Sequence, residues 1–299
     1  MANSTAFQPD GIELPTPPKF SREELSRAEQ TGDYAPILFE WYKFVGSLAA
    51  LVGHIKNDSP AFKEIPLRQH YILVGLINRC CRLMLSNVAL SHEGRFGETT
   101  GIVDRCIFES AVKIVWLCQK SSQEKFIRYL ADGLKTELEF RSQIQANISR
   151  RGGKPLDIET RMLESIGRHI GASGLTESEI ASSRKLPDLA SMLNDIGLTR
   201  LVYVVGQKLG SHHVHGTWPS LLMHYLEEDE DAEEPFRFLP RGQDCETYQH
   251  QYTFVALIVL DAMDVYLRFA LEVQSDCQVF TDLFDSARAE LMRFSEIEA

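Results

Sequence analysis

Two short polar clusters stand out in a chain otherwise patterned as amphipathic helices. The first is Arg105 with Glu109, inside the run GIVDRCIFESAVKIVWLC from Gly101 to Cys118. Four residues along a helix put two side chains on one face, about 40° apart, and Val112 and Trp116 continue that stripe. The run is apolar almost all the way round, as a helix at the centre of a bundle must be. Charges in such a helix are costly unless paired and hydrogen-bonded. Arg105 and Glu109 are therefore either a structural ion pair or part of a polar site inside the bundle. Arg before Glu is the weaker order for such a pair, so helix stabilisation alone is a poor reason to place them there.

The second cluster is Ser211-His212-His213-Val214-His215. Imidazole titrates near neutral pH and serves as general acid, general base or metal ligand. On an ideal helix Ser211 and His215 share a face, as do His212 and His215, and His213 points elsewhere. The plainer reading is a helix end whose histidines face solvent or cap carbonyls. The spacing is not that of H-E-x-x-H, and no acid lies at a matching local distance, so no metal is expected, although the fold could supply Glu109 as a further ligand. A serine hydrolase lacks its G-x-S-x-G elbow, and neither a phosphate loop nor a G-x-G-x-x-G fingerprint is present, so no cofactor is expected. Arg79, Arg82, Arg95, Arg150, Arg151 and Lys154 could face RNA if they converged, but aromatic residues for base stacking are not interleaved with them.

These residues need a scaffold, and the hydrophobic pattern predicts an all-α one of eight to ten helices. Ser21, followed by Glu23 and Glu24, starts a short helix that Gly32 ends. Residues 34–56 form a long amphipathic helix, Asn57-Asp58-Ser59-Pro60 breaks the chain, and Pro66 opens a helix from Leu67 to about Leu90. Ser91-His92-Glu93-Gly94 connects it to the central helix, about 96–118. A charged helix over 123–149 and shorter ones over 157–171 and 176–185 follow. Thr199 caps a run rich in β-branched residues; a strand is possible there, and the helical context favours helix. Residues 246–274 and 277–296 form the last two helices.

Residues 1–19, with Pro9, Pro15, Pro17 and Pro18, read as an extended arm. Residues 20–299 read as a single helical-bundle domain with an acidic surface loop at 227–235. The net charge is −11 with a pI near 5.3, which argues against broad non-specific nucleic-acid binding and leaves room for a local basic site. Six cysteines form no C-x-x-C pair and suit buried reduced thiols. The first residues have neither a basic start nor an apolar core, and no continuous apolar run reaches the roughly 20 residues of a span. The expectation is a cytoplasmic protein with no membrane partner.

The D-R-C-I-F-E segment resembles the L-x-R-x-x-x-E helix of a widespread group of uncharacterised bacterial helical proteins. That group's second signature looks like Y-x-x-x-S-x-x-x-H. Ser211 and His215 match its second half, Gln207 stands where Tyr is expected, and Tyr203 lies one turn earlier. The resemblance spans about residues 35–275 and implies that Arg105, Glu109, Ser211 and His215 approach one another. The chain is also loosely similar to the HEPN superfamily of nucleotide-binding and RNA-cleaving helical domains. It has no R-x4–6-H motif of that kind, but an Arg from one helix and a His from another could reproduce the chemistry. His215 would then be the general acid or base and Arg105 would stabilise the phosphate.

The site expected on these grounds has Arg105, Glu109, Ser211 and His215 as catalytic residues, with His212, His213, Gln207 and Tyr203 binding the ligand. The function expected is a bacterial effector or toxin-like component, in the setting of phage defence by analogy, acting on RNA or a nucleotide as a metal-independent ribonuclease. A homodimer is expected on the same analogy. The competing expectation is a non-enzymatic interaction module in which the same polar network only fixes the core and the arm and acidic loop face a protein partner.

Overall fold

A computed structural model of the chain describes residues 14–58, 62–91, 96–229, 231, 237–242, 245, 247, 249–272 and 274–296, with backbone alone at 274–277 and 296. Most of the arm, Ser59 and Pro60 of the break at 57–60, the His92–Gly94 connection, Arg95 and much of the acidic loop lie outside these residues.

The described chain is all-α, with one two-stranded hairpin. Its helices are α1 (Arg22–Thr31), α2 (Ala35–Val52), α3 (Leu67–Leu90), α4 (Gly97–Cys118), α5 (Gln123–Arg150), α6 (Asp157–Ser173), α7 (Glu177–Ser182) and α8 (Leu189–Asp195). A continuous helix α9 follows, built of Arg200–Tyr203, a π segment Val204–Leu209 and Gly210–His215. Then come α10 (Trp218–His224), α11 (Gln249–Ala270) and α12 (Gln274–Glu296). Twelve helices among the described residues replace the expected eight to ten. The short helices α7, α8 and α10 have six or seven residues each, too short to display a 3.6-residue period. Local chemistry starts them instead: in α7, Glu179 N donates to Thr176 Oγ1 while Glu179 Oε2 accepts from Thr176 N, a reciprocal cap.

The expected loop at 227–235 begins as a strand. β1 (Leu226–Glu228) pairs antiparallel with β2 (Phe238–Pro240), with Glu227 opposite Leu239. Elsewhere the boundaries follow local signals. Ser21 and Glu24 form the reciprocal cap of α1, and Gly32 ends it at a φ of 71°. Helix α2 stops at Gly53, four residues before the expected break region, where Asn78 Nδ2 donates to the Gly53 carbonyl at 2.9 Å.

The described residues divide into two compact units, residues 1–119 with 189–299, and residues 120–188. In the first, α2, α3, α4 and α11 pack against one another around α4. Ile107, Phe108, Ala111, Val112 and Leu117 of α4 have no exposed surface, as a helix apolar on every side requires. Trp116 ties it to α8 by donating to Asp195 Oδ2 at 3.1 Å. Helices α2 and α3 are long and apolar enough to cross a membrane, because both dilute a few polar residues over a full span length. About half of the α2 span is buried inside the bundle, which is also what a core helix shows. In the second unit, α5, α6 and α7 enclose a small core of Ala131, Leu134, Leu175 and Ile180.

Candidate functional site

Helices α4 and α9 approach closely because glycines stand at the crossing. A Cβ on Gly206 would lie 2.5 Å from the Phe108 ring, and one on Gly210 would lie 3.0 Å from Arg105 Cβ. The π segment spans this crossing. Inserted turns of this kind recur at functional sites, where they re-aim the side chains that follow.

The contact joins the two polar clusters. Arg105 Nε lies 3.3 Å from Glu109 Oε1, and the same oxygen accepts from Gln207 Nε2 at 3.0 Å. Lys113 Nζ lies 3.9 Å from the other carboxylate oxygen. Ser211 donates to the Gln207 carbonyl at 2.7 Å, bonding back one turn along its own helix. Arg105, Glu109 and Gln207 thus meet, with Ser211 beside them. His215 is exposed in the last turn before the left-handed Gly216. The ring of Tyr203 is covered by the Arg200 guanidinium, 4.4 Å from its centroid. Of the dispersed basic residues, Arg79 donates to Ser110 Oγ at 3.2 Å and Arg151 pairs with Glu159.

Beside this ladder lies a cavity of about 560 Å³. Arg105, His212 and His213 line it, whereas Glu109, Gln207, Ser211, Tyr203 and His215 lie outside its wall. Asp104, Ser220, His224, His250 and Gln251 complete its polar lining, and Leu209, Met223, Phe254 and Val255 supply apolar surface. This volume and mix suit a drug- or nucleotide-sized ligand.

Asp104 is half-buried and lines the cavity. It accepts from Asn87 Nδ2 at 2.6 Å and from Gln251 Nε2 at 2.9 Å. Burial pushes its carboxyl well above the ordinary carboxylate range, and these two hydrogen bonds offset only part of that. His213 lies across Gly101, where a Cβ would stand 2.9 Å from its Cδ2. Burial lowers its pKa, His224 and His212 lower it further, and Glu98 pulls it back up in part. The imidazole is therefore neutral at neutral pH. Its Nδ1 is buried and meets no hydrogen-bond partner among the described residues. His212 is held by Nδ1 against Thr217 Oγ1 at 2.7 Å. No group of three or more candidate metal ligands occurs among the described residues.

Sequence reasoning passed over Glu98, Asp104, His224 and Gln251. Asp104 carried a readable signal, since it is a second acid in the apolar central helix and adjoins Arg105. His224 and Gln251 reach the cavity from helices distant in sequence, where no local pattern marks them.

A family model described as a family of unknown function, DUF5677, matches residues 70–234, more than half of the chain and most of the cavity wall. No curated protein and no solved structure matches the chain.

Proposed function

The chain belongs to the DUF5677 family of unknown function, and we propose that its cavity binds a nucleotide, free or as a unit of RNA, and performs acid–base chemistry at the phosphate ester. The observation that carries this reading is that Arg105 and His213 line one cavity from two different helices. A guanidinium offers a planar fork suited to phosphate oxygens. A neutral imidazole in a partly apolar pocket is competent to take a proton. The imidazole in this role is His213, because His215 lies outside the wall.

On RNA the step balances without a metal. His213 takes the proton of the ribose 2′-hydroxyl as the 2′-oxygen bonds to phosphorus. The bond from phosphorus to the 5′-oxygen breaks, and that oxygen takes a proton from water. Arg105 holds the charge that grows on the non-bridging oxygens.

The experiment combines thermal melts in the presence of 5′-mononucleotides with cleavage of a labelled RNA in chelator. Stabilisation by nucleotides, and cleavage that falls by about 10²–10⁴-fold in His213→Ala, is the expected result. A melt unmoved by any nucleotide, with intact RNA, overturns the reading.

A specific observation favours a second reading, the interaction module. Leu201, Leu209 and Val214 of α9 and Trp218 after it are exposed, Leu201 by 68%. A protein partner or a second copy covering α9 would bury them, and light scattering that gives a monomer at all concentrations would remove the second-copy form of this reading.

A further inference from the structure

We infer that Glu98, His224 and His213 form one proton-handling group at the cavity, in which Glu98 is the compensating anion and His224 the spacer that positions His213. The inference rests on the reading of His213 as the base. Its geometry, however, is independent of any ligand.

Glu98 lies in the first turn of α4, where the helix dipole favours an anion. Ser220 donates to its Oε1 at 2.6 Å, and the Tyr225 hydroxyl donates to its Oε2. Both donors flank His224, on α10 and just beyond it. The same two hydrogen bonds that hold the carboxylate therefore also dock the segment carrying His224 against α4. His224 is 3% exposed, and its ring stands edge-to-face on His213 with centroids 5.0 Å apart. His213 also rests against Gly101. The imidazole touches both a helix backbone and a second imidazole.

Two imidazoles in contact cannot both be cationic without a compensating charge. Burial alone would raise the Glu98 carboxyl, but the Ser220 and Tyr225 hydrogen bonds, aided by His224 and His213, outweigh it and keep the group below its usual value. Glu98 is therefore a fixed negative charge whose field reaches both rings. When His213 takes a proton from a ligand, the new cation forms beside His224 and is balanced by Glu98. The other groups around His213 are His212 on its own helix, Asp104 and Arg105 on α4, and His250 and Gln251 on α11. Asp104 is spent on Asn87 and Gln251, and Arg105 would oppose a cation. Glu98 remains as the anion placed to stabilise the imidazolium.

The test is a histidine ring titration by NMR on the full chain, with His213 assigned by loss of its signal in His213→Gln. Removing the charge in Glu98→Gln is expected to move the His213 midpoint to lower pH, while Glu98→Asp, which keeps the charge, restores it. Removing the neighbouring ring in His224→Gln is expected to move the midpoint the opposite way, to higher pH. Should either variant fail to fold, the other still carries a signed expectation. In wild type, the two rings are expected to titrate as separated steps of one coupled pair. A His213 midpoint unchanged in the folded variants, or two rings that titrate independently, overturns the inference. In an active protein, Glu98→Gln would also shift the acid limb of the kcat profile to lower pH with KM little changed. Signed NMR shifts in a protein that binds no nucleotide leave the relay standing and remove the proposed function; nucleotide binding with unshifted midpoints does the reverse.

Discussion

Gly101 is the floor on which His213 rests: a Cβ there would stand 2.9 Å from the His213 Cδ2 and 3.4 Å from its Nε2. The relationship couples a residue with no side chain to the imidazole proposed above as the base. In mid-helix, alanine is favoured over glycine by roughly 1 kcal/mol. Gly101→Ala is therefore expected to leave the melting temperature nearly unchanged while pushing His213 aside. Nucleotide binding or RNA cleavage should fall with it. A variant that melts as wild type and keeps full activity would show that His213 has room to move without consequence.

Gly206 tests the helix crossing itself. Its Cβ would lie within 2.7 Å of three atoms of the Phe108 ring, and Phe108 has no exposed surface into which to retreat. Overpacking of a close core contact costs about 1–3 kcal/mol. Gly206→Ala is expected to lose stability in that range in urea unfolding. Gly210→Ala, whose nearest neighbour would be Arg105 Cβ at 3.0 Å, should lose less.

That crossing also explains what was legible in the sequence. Helix α4 could be read as central because its residues are apolar on every side, and the tie between the two polar clusters through Glu109 joins residues singled out in advance. Which histidine faces the cavity could not be read. Counting faces on an ideal helix groups His215 with Ser211 and sets His213 apart. A π turn inserts a residue, and each residue is worth about 100° of rotation. The segment Val204–Leu209 thus re-aims everything after it, and no propensity in its β-branched sequence announces such a turn. Asp104 was legible in kind, as an acid in an apolar helix. Its partner Gln251 lies 147 positions away, a distance that only the tertiary fold closes.

Protonation of the cavity couples to stability with opposite signs at its two ends. Burial raises the Asp104 carboxyl, with Gln251 and Asn87 opposing. Its folded-state pKa is above the unfolded value, so its contribution is full below the ordinary 3.8 and is lost as pH rises through the raised value. Burial lowers His213 from 6.5. Its contribution is full above that ordinary value and is lost as pH falls through the lowered one. Relative to wild type, Asp104→Asn is expected to gain melting temperature as pH rises from acid toward neutral. His213→Gln should gain as pH falls below 6.5. Differences that stay flat across both windows would contradict the burial of these groups.

The ladder outside the cavity separates structure from chemistry. Glu109 receives Arg105 on one side and Gln207 on the other, and the Arg105 and Glu109 side chains are only 18% and 31% exposed. Deleting the carboxylate strands a part-buried guanidinium and removes the acceptor that joins α9 to α4. Hydrogen bonds to charged groups contribute about 1.5–3 kcal/mol when buried, and the partial exposure here lowers that toward about 1 kcal/mol. Glu109→Ala is therefore expected to lower stability by roughly 1–2 kcal/mol while nucleotide affinity changes little. Arg105→Gln should do the reverse, losing affinity more than stability, because Gln can still reach neighbouring acceptors but carries no charge for a phosphate. Gln207→Ala, combined with Glu109→Ala, should cost less than the sum of the two single changes, since both remove the same hydrogen bond. Strict additivity in that cycle would mean that the contact does not couple the helices, and that α9 is held on α4 by the glycine crossing alone.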